Sequence, residues 1–426
     1  MKRWAVACTA VAGVLCCAAL LVWALGVRDP ADLSAGSAQA AASPQQLAQG
    51  AYLARAGNCM ACHTRRGGDP YAGGRPIATP FGTVFTSNLT PDGATGLGHW
   101  SAADFWRAMH HGRSRDGRLL LPAFPYTSFT QVTREDSDAL FAYLRSLPAV
   151  AQPNPPHALR WPYGSQWALA IWRALYFRPG TFEPQPGRSA SWNRGAYLVR
   201  GLGHCNACHA SRNALGASGD ALDLEGGQIP MQGWYAPSLL RVNEAGVADW
   251  NAVEVLQLLQ TGVSPRGSAL GPMAEVVLHS TQHLAREDLL AMTAYLQALP
   301  VAAYRVTEEG KAPARSSEAG ARLYGRHCAD CHGENGVGVA GAYPALAGNR
   351  AVRMTNAANL VQVVLRGGFA PATAGNPRPF GMPPFQILLT DSEVAAVLTH
   401  IRSAWGNRAG EVTELDVARL RGGAPR

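Results

Sequence analysis

The residues best suited to chemistry are six cysteines and three histidines that form three copies of one pattern, Cys-x-x-Cys-His. The copies are Cys59, Cys62 and His63, then Cys205, Cys208 and His209, then Cys328, Cys331 and His332. In this pattern the two thiols lie one helical turn apart and can form thioethers with the vinyl groups of a haem, while the histidine reaches the iron as an axial ligand. The sequence therefore predicts three covalently bound haem c groups, each with its iron.

Two other kinds of site use the same residue types. A structural zinc ion needs four ligands, and the motifs start 146 and 123 residues apart, so one ion would have to be shared by distant segments. A dithiol redox site does not require a histidine after the second cysteine in every copy. Both interpretations are therefore disfavoured.

A second iron ligand is expected in the later part of each repeat, in a loop before its last helix. Met273 lies 64 residues after His209, and Met382 lies 50 residues after His332. A thioether sulfur raises the haem potential and suits a centre that passes single electrons. We predict that Met273 and Met382 are iron ligands, core packing being the alternative for each.

The first repeat breaks this pattern. Phe124 stands 61 residues after His63, where the other repeats predict a methionine, and a phenyl ring has no lone pair to donate. Met109, His110 and His111 are the candidates for the vacant position, and packing against the haem is the alternative for Met109. The sequence does not choose among them, and a five-coordinate iron remains an option.

Three repeats of similar length position the motifs. Each begins with a predicted helix that contains Gly-Ala-Tyr-Leu or Gly-Ala-Arg-Leu, and each ends with a second predicted helix. The opening signals lie at 50–53, 195–198 and 320–323, and the closing helices are expected at 133–148, 285–300 and 390–405. Because Gly50, Gly195 and Gly320 lack a Cβ, we expect each opening helix to cross its closing helix closely.

The N-terminus indicates export. Lys2 and Arg3 precede an uncharged stretch, 4–27, that is longer than the apolar core of an ordinary signal peptide and can span a bilayer. The two charges place the N-terminus in the cytoplasm and the remaining chain on the periplasmic side of a bacterial inner membrane. We expect a retained anchor, with cleavage as the alternative, and interpret Cys8, Cys16 and Cys17 as small hydrophobic residues.

Composition and motifs exclude several functions. The 426 residues carry 37 Lys and Arg against 29 Asp and Glu, a net charge of +8, but no basic run exceeds two residues, so no nucleic-acid partner is expected. The sequence has no nucleophile motif, no glycine-rich nucleotide loop and no His-Glu-x-x-His. An enzyme is therefore not expected, and the alternative function is a multihaem peroxidase that uses an open first haem near His110 and His111.

The connector between the first two repeats is rich in proline and tryptophan. Its stretch 167–177 is apolar nearly all round, which suits burial against a partner, contact with a membrane interface, or packing on its own domains. The sequence leaves these alternatives open.

The chain resembles the three-haem cytochrome c subunits of bacterial membrane-bound alcohol, gluconate and related dehydrogenases. The resemblance covers nearly all of the chain after residue 27. It rests on the three motifs, on Gly-Arg-Pro-Ile-Ala-Thr-Pro-Phe-Gly-Thr at 74–83, on Asn-Leu-Thr-Pro at 88–91, and on Trp-Asn-Arg-Gly-Ala-Tyr-Leu at 192–198. Phe124 looks more like the cytochrome subunits that accompany molybdenum hydroxylases for aldehydes or nicotinate.

The resemblance implies an electron-transfer subunit whose substrate chemistry is done by another chain. That partner would be a catalytic dehydrogenase subunit of the molybdopterin, flavin or quinoprotein type, with or without a small iron-sulfur subunit. The electron acceptor would be quinone or a terminal oxidase.

The expected fold class is all-α, with three tandem class I cytochrome c-like domains after an N-terminal membrane segment. The expected boundaries are 1–27 for a signal-anchor or transmembrane segment, 28–46 for a linker, 47–150 for the first domain, 151–190 for the connector, 191–302 for the second domain, 303–315 for a linker, 316–406 for the third domain and 407–426 for a C-terminal tail.

Overall fold

The computed structural model describes residues 42–219, 223–302 and 317–422, together with Gly13, Cys16, Cys17 and 20–27. Contacts divide the chain into two compact units. The first consists of Met1–Ala54, Cys62–Glu183 and Asn213–Ala217, and the second of Arg55–Ala61, Pro184–Arg212 and Ser218–Arg426. The first unit therefore holds most of the first repeat with the connector, and the second unit holds the other two repeats.

The first repeat is built from five helices, of which the first is the opening helix and the last the closing helix, joined by loops of unequal length. These helices are Pro44–Ala56, Cys59–Cys62, Ala102–His111, Tyr126–Phe129 and Arg134–Arg145. A three-stranded antiparallel sheet joins Pro76–Thr79, Gly82–Phe85 and Ala158–Leu159, in that order. The connector contains one helix, Gln166–Tyr176, and a π-helical turn at Trp23–Val27 packs against it.

The second repeat follows the same order. Its opening helix Ala190–Tyr197 continues into a π-helical turn, Leu198–Leu202. The later helices are Asn206–His209, Ala252–Thr261, Pro272–His279, the 3-10 turn Thr281–His283 and the closing helix Arg286–Gln297. Two antiparallel strand pairs connect them, Gly227–Gln228 with Tyr235–Ala236 and Val263–Ser264 with Gly267–Ser268.

The third repeat surrounds a core that includes Val361, Leu365 and Leu398. Its helices are Glu318–His327, Ala329–His332, Arg350–Arg353, Ala358–Arg366, Asp391–Ser403 and Glu414–Gly422, and one strand pair joins Gly368–Phe369 to Gly381–Met382. The last helix falls in the segment expected to be a tail, but its Val417 is fully buried in this core. The helix Glu414–Gly422 therefore packs on the third repeat.

The expected all-α fold class is wrong. Within the described residues the helices are joined by four small antiparallel sheets. The reason is that the long loops between helices must pair their own backbone N–H and C=O groups, and hairpins of two to four residues do so. Strands this short leave almost no period-two signal in a sequence.

Within the described residues, the membrane segment that formed part of the expected fold class is also not found. No helix in the described part of the chain is long and apolar enough to cross a bilayer. Where the apolar stretch is described, Gly13, Cys16, Cys17 and 20–22 are α-helical, and Trp23–Val27 is a short π-helical turn. Most of 1–27, Cys8 included, lies outside the described residues.

The close helix crossings are confirmed in all three repeats. A Cβ added to Gly50, Gly195 or Gly320 would overlap a backbone carbonyl oxygen of the closing helix of the same repeat. The overlapped oxygens belong to Ala139, Ala291 and Ala396. Backbone atoms cannot move aside as a flexible side chain can, so each crossing requires glycine.

We therefore expect Gly320→Ala to lower the free energy of unfolding of the third repeat by about 1–3 kcal/mol, the usual cost of overpacking. Gly325→Ala is the matched control, because Gly325 lies in the same helix with no atom within 4 Å of an added Cβ. Its helix propensity should stabilise the repeat by up to about 1 kcal/mol. Urea unfolding of both variants checks this, and equal effects would contradict the close crossing.

A buried arginine, Arg402, connects separate segments of the third repeat by hydrogen bonds. Arg402 is 2% exposed. Its Nη1 donates to the carbonyl oxygens of Val352 and Met354, each at 2.8 Å, and its Nε donates to that of Gly410 at 2.7 Å. Burial lowers the pKa of Arg402 to about 10, which still leaves the group charged at neutral pH.

We expect Arg402→Met to destabilise the third repeat by about 2–4 kcal/mol, because three carbonyl oxygens lose their donor inside the core. Arg322→Met is the control, since Arg322 and its partner Glu318 are both exposed and such pairs contribute at most about 1 kcal/mol. Thermal unfolding that shifts equally in both variants would show that Arg402 is not a structural tie.

Candidate haem-binding sites

Each motif lies on a single short helical turn. Cys59 and Cys62 begin and end one helix, while Cys205 and Cys328 directly precede Asn206–His209 and Ala329–His332. None of these motif cysteines forms a disulfide. Burial raises the pKa of Cys205 to about 12 and that of Cys328 to about 11. Because redox dithiols need a lowered thiol pKa, these two cysteines argue against a dithiol site in the second and third motifs.

The three motif histidines share one hydrogen-bond arrangement. The Nδ1 atoms of His63, His209 and His332 lie 2.7, 2.7 and 2.9 Å from backbone carbonyl oxygens. The acceptors belong to Ser87, Pro237 and Pro344. A carbonyl can only accept, so Nδ1 carries the hydrogen and Nε2 keeps a lone pair for a metal.

Electrostatics favour the same state of the ring. Burial lowers the pKa of His63 and of His209, although the hydrogen bonds to Ser87 and Pro237 oppose the shift. Both imidazoles are therefore neutral at pH 7, which is the form that binds iron.

A glycine N–H group donates a hydrogen bond to the backbone carbonyl of each motif histidine, and we call these three glycines the bracing glycines. The carbonyl oxygens of His63, His209 and His332 accept hydrogen bonds of 2.7, 2.8 and 2.8 Å from glycine N–H groups. The donors are Gly73, Gly226 and Gly338, all with positive φ, at 73°, 82° and 65°. A Cβ on any of them would overlap backbone of the loop that supplies the Nδ1 acceptor. The glycines thus let that loop approach the histidine.

The sequence analysis did not predict the bracing glycines or the carbonyl groups that accept from the histidine Nδ1 atoms. The acceptor residues follow their histidines by 24, 28 and 12 residues, and this unequal spacing hides the correspondence. One signal could have found them, because a leucine stands two positions after each acceptor: Leu89, Leu239 and Leu346. The N–H of each leucine donates back to the loop that follows its motif, to Tyr71, Leu224 and Gly336.

The two predicted methionine ligands precede the closing helices of their repeats, though not in loops. Met382 is the second residue of the strand Gly381–Met382 and is partly buried against the core of the third repeat. Met273 is the second residue of the helix Pro272–His279, and this helix begins after Gly271, whose φ is 54°. Both remain predicted iron ligands, now assigned to a hairpin and to a helix start.

In the first repeat the corresponding position belongs to an aromatic cluster. The ring of Phe124 lies 5.3 Å from that of Phe129, centroid to centroid. Met109 is buried, and His110 is buried with its ring stacked 4.4 Å from Trp106. The ring of His111 stands edge-on to that of His110. Packing thus engages Met109 and both histidines, and none is assigned as a ligand.

The donor set fits covalently attached haem. Each motif offers two thiols on one turn and an imidazole whose Nε2 is available. Among the described residues, no group of three or more His, Cys, Asp or Glu side chains is placed to hold a bare metal ion. The zinc interpretation therefore has no site in that part of the chain.

Comparison with known proteins supports the same chemistry. The cytochrome c family profile matches residues 47–148 and 317–405. The cytochrome c subunit of alcohol dehydrogenase (quinone) from Gluconacetobacter polyoxogenes is 39% identical over 396 residues, which cover 88% of this chain and 84% of that one. The gluconate 2-dehydrogenase cytochrome c subunit of Pantoea cypripedii is 39% identical over 392 residues, covering 88% and 89%.

A third relative is organised differently. A nicotinate dehydrogenase subunit from Pseudomonas putida is 39% identical over 401 residues, which cover 90% of this chain but 32% of that protein. This chain therefore corresponds to one part of that longer protein.

These findings confirm covalently bound haem c, with its iron, as the cofactor of the cytochrome c domains. They also confirm an electron-transfer subunit rather than a catalytic one, and they do not support the peroxidase alternative. The chain belongs to the family of the cytochrome c subunits of alcohol and gluconate dehydrogenases.

Proposed function

We propose that the chain carries three haem c groups, one on each Cys-x-x-Cys-His motif. The observation that supports this most directly is the threefold recurrence of the same histidine geometry, with Nδ1 donating to a backbone carbonyl and a positive-φ glycine bracing the histidine carbonyl. The second motif has this geometry in full, although the family profile matches only the regions of the first and third.

Within each site the chain's own residues have separate tasks. The two cysteines fix the porphyrin covalently, and the histidine Nε2 binds the iron, which supplies one-electron chemistry when haem is present. The carbonyls of Ser87, Pro237 and Pro344 hold each imidazole in one tautomer and orientation. Met273 and Met382 are proposed as the second ligands of the second and third irons. Thioether ligation favours the ferrous state and thus raises these two potentials.

The partner is proposed to be a catalytic dehydrogenase subunit, and the acceptor quinone or a terminal oxidase, at the periplasmic side of a bacterial inner membrane. Relatives named for alcohol, gluconate and nicotinate dehydrogenases are equally similar, at 39% identity, so overall identity does not select a substrate. On the resemblance carried by Phe124, we propose a molybdenum hydroxylase partner, with or without an iron-sulfur subunit, ahead of the flavin and quinoprotein types.

Affinity purification of the tagged chain from detergent-solubilised membranes tests the partner. We expect a large co-purifying subunit with molybdenum, and reduction of the haems when its substrate is added. A partner that contains flavin or pyrroloquinoline quinone instead would overturn the molybdenum assignment. Substrate-independent peroxide turnover by the isolated chain would overturn the electron-transfer proposal itself.

A further inference from the structure

The connector helix, Gln166–Tyr176, buries its charged residue and exposes large apolar residues. Arg173 is its one charged residue and is 5% exposed. Trp167, Ile171 and Leu175 recur at every fourth position and are 55%, 41% and 60% exposed. A helix on the surface of a water-soluble domain ordinarily shows the opposite arrangement, with charged residues outward. The outer face of this helix is therefore built for an apolar environment.

Specific contacts fix this orientation. Arg173 Nε donates to the carbonyl oxygen of Gly26 at 3.2 Å. Its guanidinium carbon lies 5.4 Å from the ring centroid of Tyr126 and 4.8 Å from that of Phe177. Rotating the helix to hide the apolar face would break this hydrogen bond and the cation–π contact with Tyr126. The exposure of the apolar face is thus a defined feature of the folded first unit.

The apolar surface extends beyond the helix. Trp161 is 82% exposed, and its ring lies 6.4 Å from that of Trp167. We call Trp161, Trp167, Ile171, Leu175 and Tyr176 the connector patch. The patch has no acidic or basic member, and the exposed residues Arg160 and Arg178 stand just outside it in the sequence.

A second apolar segment of the chain meets the connector helix. Gly26, near the end of the uncharged run 4–27, packs against the backbone of Ala170 on the buried side of the connector helix. Leu20, Leu21 and Trp23, immediately before this contact, are exposed as well. A long apolar run therefore reaches the fold at the helix that carries the connector patch.

We propose that the connector patch lies in the headgroup region of a lipid bilayer, with the connector helix parallel to the surface. Tryptophan and tyrosine favour this interface because their rings are apolar with one polar group. Arg160 and Arg178, which flank the patch in the sequence and are exposed, would add attraction to anionic headgroups, although each also donates to a backbone carbonyl. A protein partner is less well suited, because the patch itself offers no charged group to fix the register of a docked chain.

Thiol protection by vesicles tests the proposal on the full haem-loaded chain. Ile171→Cys is made in a background with Cys8, Cys16 and Cys17 changed to serine, so that the new thiol is the one left to react. Its modification by a sulfonated maleimide is followed with and without vesicles of phosphatidylethanolamine and phosphatidylglycerol. Leu290→Cys is the matched control, because Leu290 is a helical residue of similar exposure, 36%, in the second repeat.

We expect vesicles to slow modification at position 171 at least about tenfold and at position 290 less than about twofold, because a charged reagent does not enter the interface. Unchanged reactivity at 171, whether or not the protein sediments with the vesicles, would overturn the proposal. Protection without lipid that grows with protein concentration would assign the patch to a second copy. Protection that requires the catalytic subunit would assign it to that partner, and either result would overturn lipid contact.

Discussion

The double variant Cys328→Ala/Cys331→Ala is expected to lose one of the three proposed haems and to unfold chiefly residues 317–422. Cys328, Ala329 and Met382 pack against the core of the third repeat, so the haem of this motif would complete that core. A cofactor that binds only the folded state stabilises it by mass action, and its removal subtracts that stabilisation. Haem content and hydrogen exchange across the third repeat measure the two effects.

The second repeat should be weakened but not unfolded. It shares a compact unit with the third, and Asn359 pairs with the backbone of Tyr235 through hydrogen bonds of 2.9 and 2.8 Å. Loss of this contact removes support from one edge of the second repeat. The control Cys16→Ala/Cys17→Ala also removes two cysteines, but from outside the motifs, and should keep all haems. Loss of every haem from the Cys328/Cys331 variant would contradict separate attachment.

Replacing Met382 with histidine is expected to lower the potential of one haem by on the order of 0.1 V or more, within the roughly 0.8 V range that axial ligands span. The reason is that imidazole does not favour ferrous iron as a thioether does. Spectroelectrochemical titration would show one haem moving while the others stay. The near-infrared band of methionine bound to ferric iron should weaken by half, because two such ligands are proposed.

Met354→Leu is the control for this variant. Met354 is 3% exposed in the same repeat, and leucine conserves its volume, so a small packing change is tested without a change of ligand. Its potentials and its near-infrared band should match those of the unchanged protein. If Met382→His left both unchanged, Met382 would be a core residue and the third iron would need another ligand.

Features with fixed spacing were predictable from the sequence. The cysteine spacing predicts a single helical turn, and the recurring Gly50, Gly195 and Gly320 predict close crossings of helices. Both depend on residues within one helix or on one repeated pair of helices. The position of Met382 before a closing helix was predictable for the same reason, because it follows from aligning the repeats.

Features that depend on long loops were not predictable. The acceptor of each histidine Nδ1 is a backbone carbonyl, which any residue type supplies, so Ser87 and Pro237 carry no common side-chain signal. The hairpin that holds Met382 consists of strands of two residues each, too short for a periodic pattern. These parts of the sites emerge only when the loops fold back on the motifs.

The connector helix shows a third kind of limit. Its sequence is apolar nearly all round, so periodicity could not say which side is buried. Arg173 decides the question, because its hydrogen bond to Gly26 and its cation–π contact with Tyr126 turn the charge inward. Both partners lie far away in the sequence, and only the fold brings them to the helix.

Haem stoichiometry tests the central claim most directly. The pyridine haemochrome assay on protein expressed with a c-type haem maturation system should give three covalent haems per chain, and the near-infrared band of methionine-ligated ferric iron should account for two of them. Fewer than three haems would mean that a motif is unoccupied, and the proposal that the repeated histidine geometry marks three working sites would then be wrong.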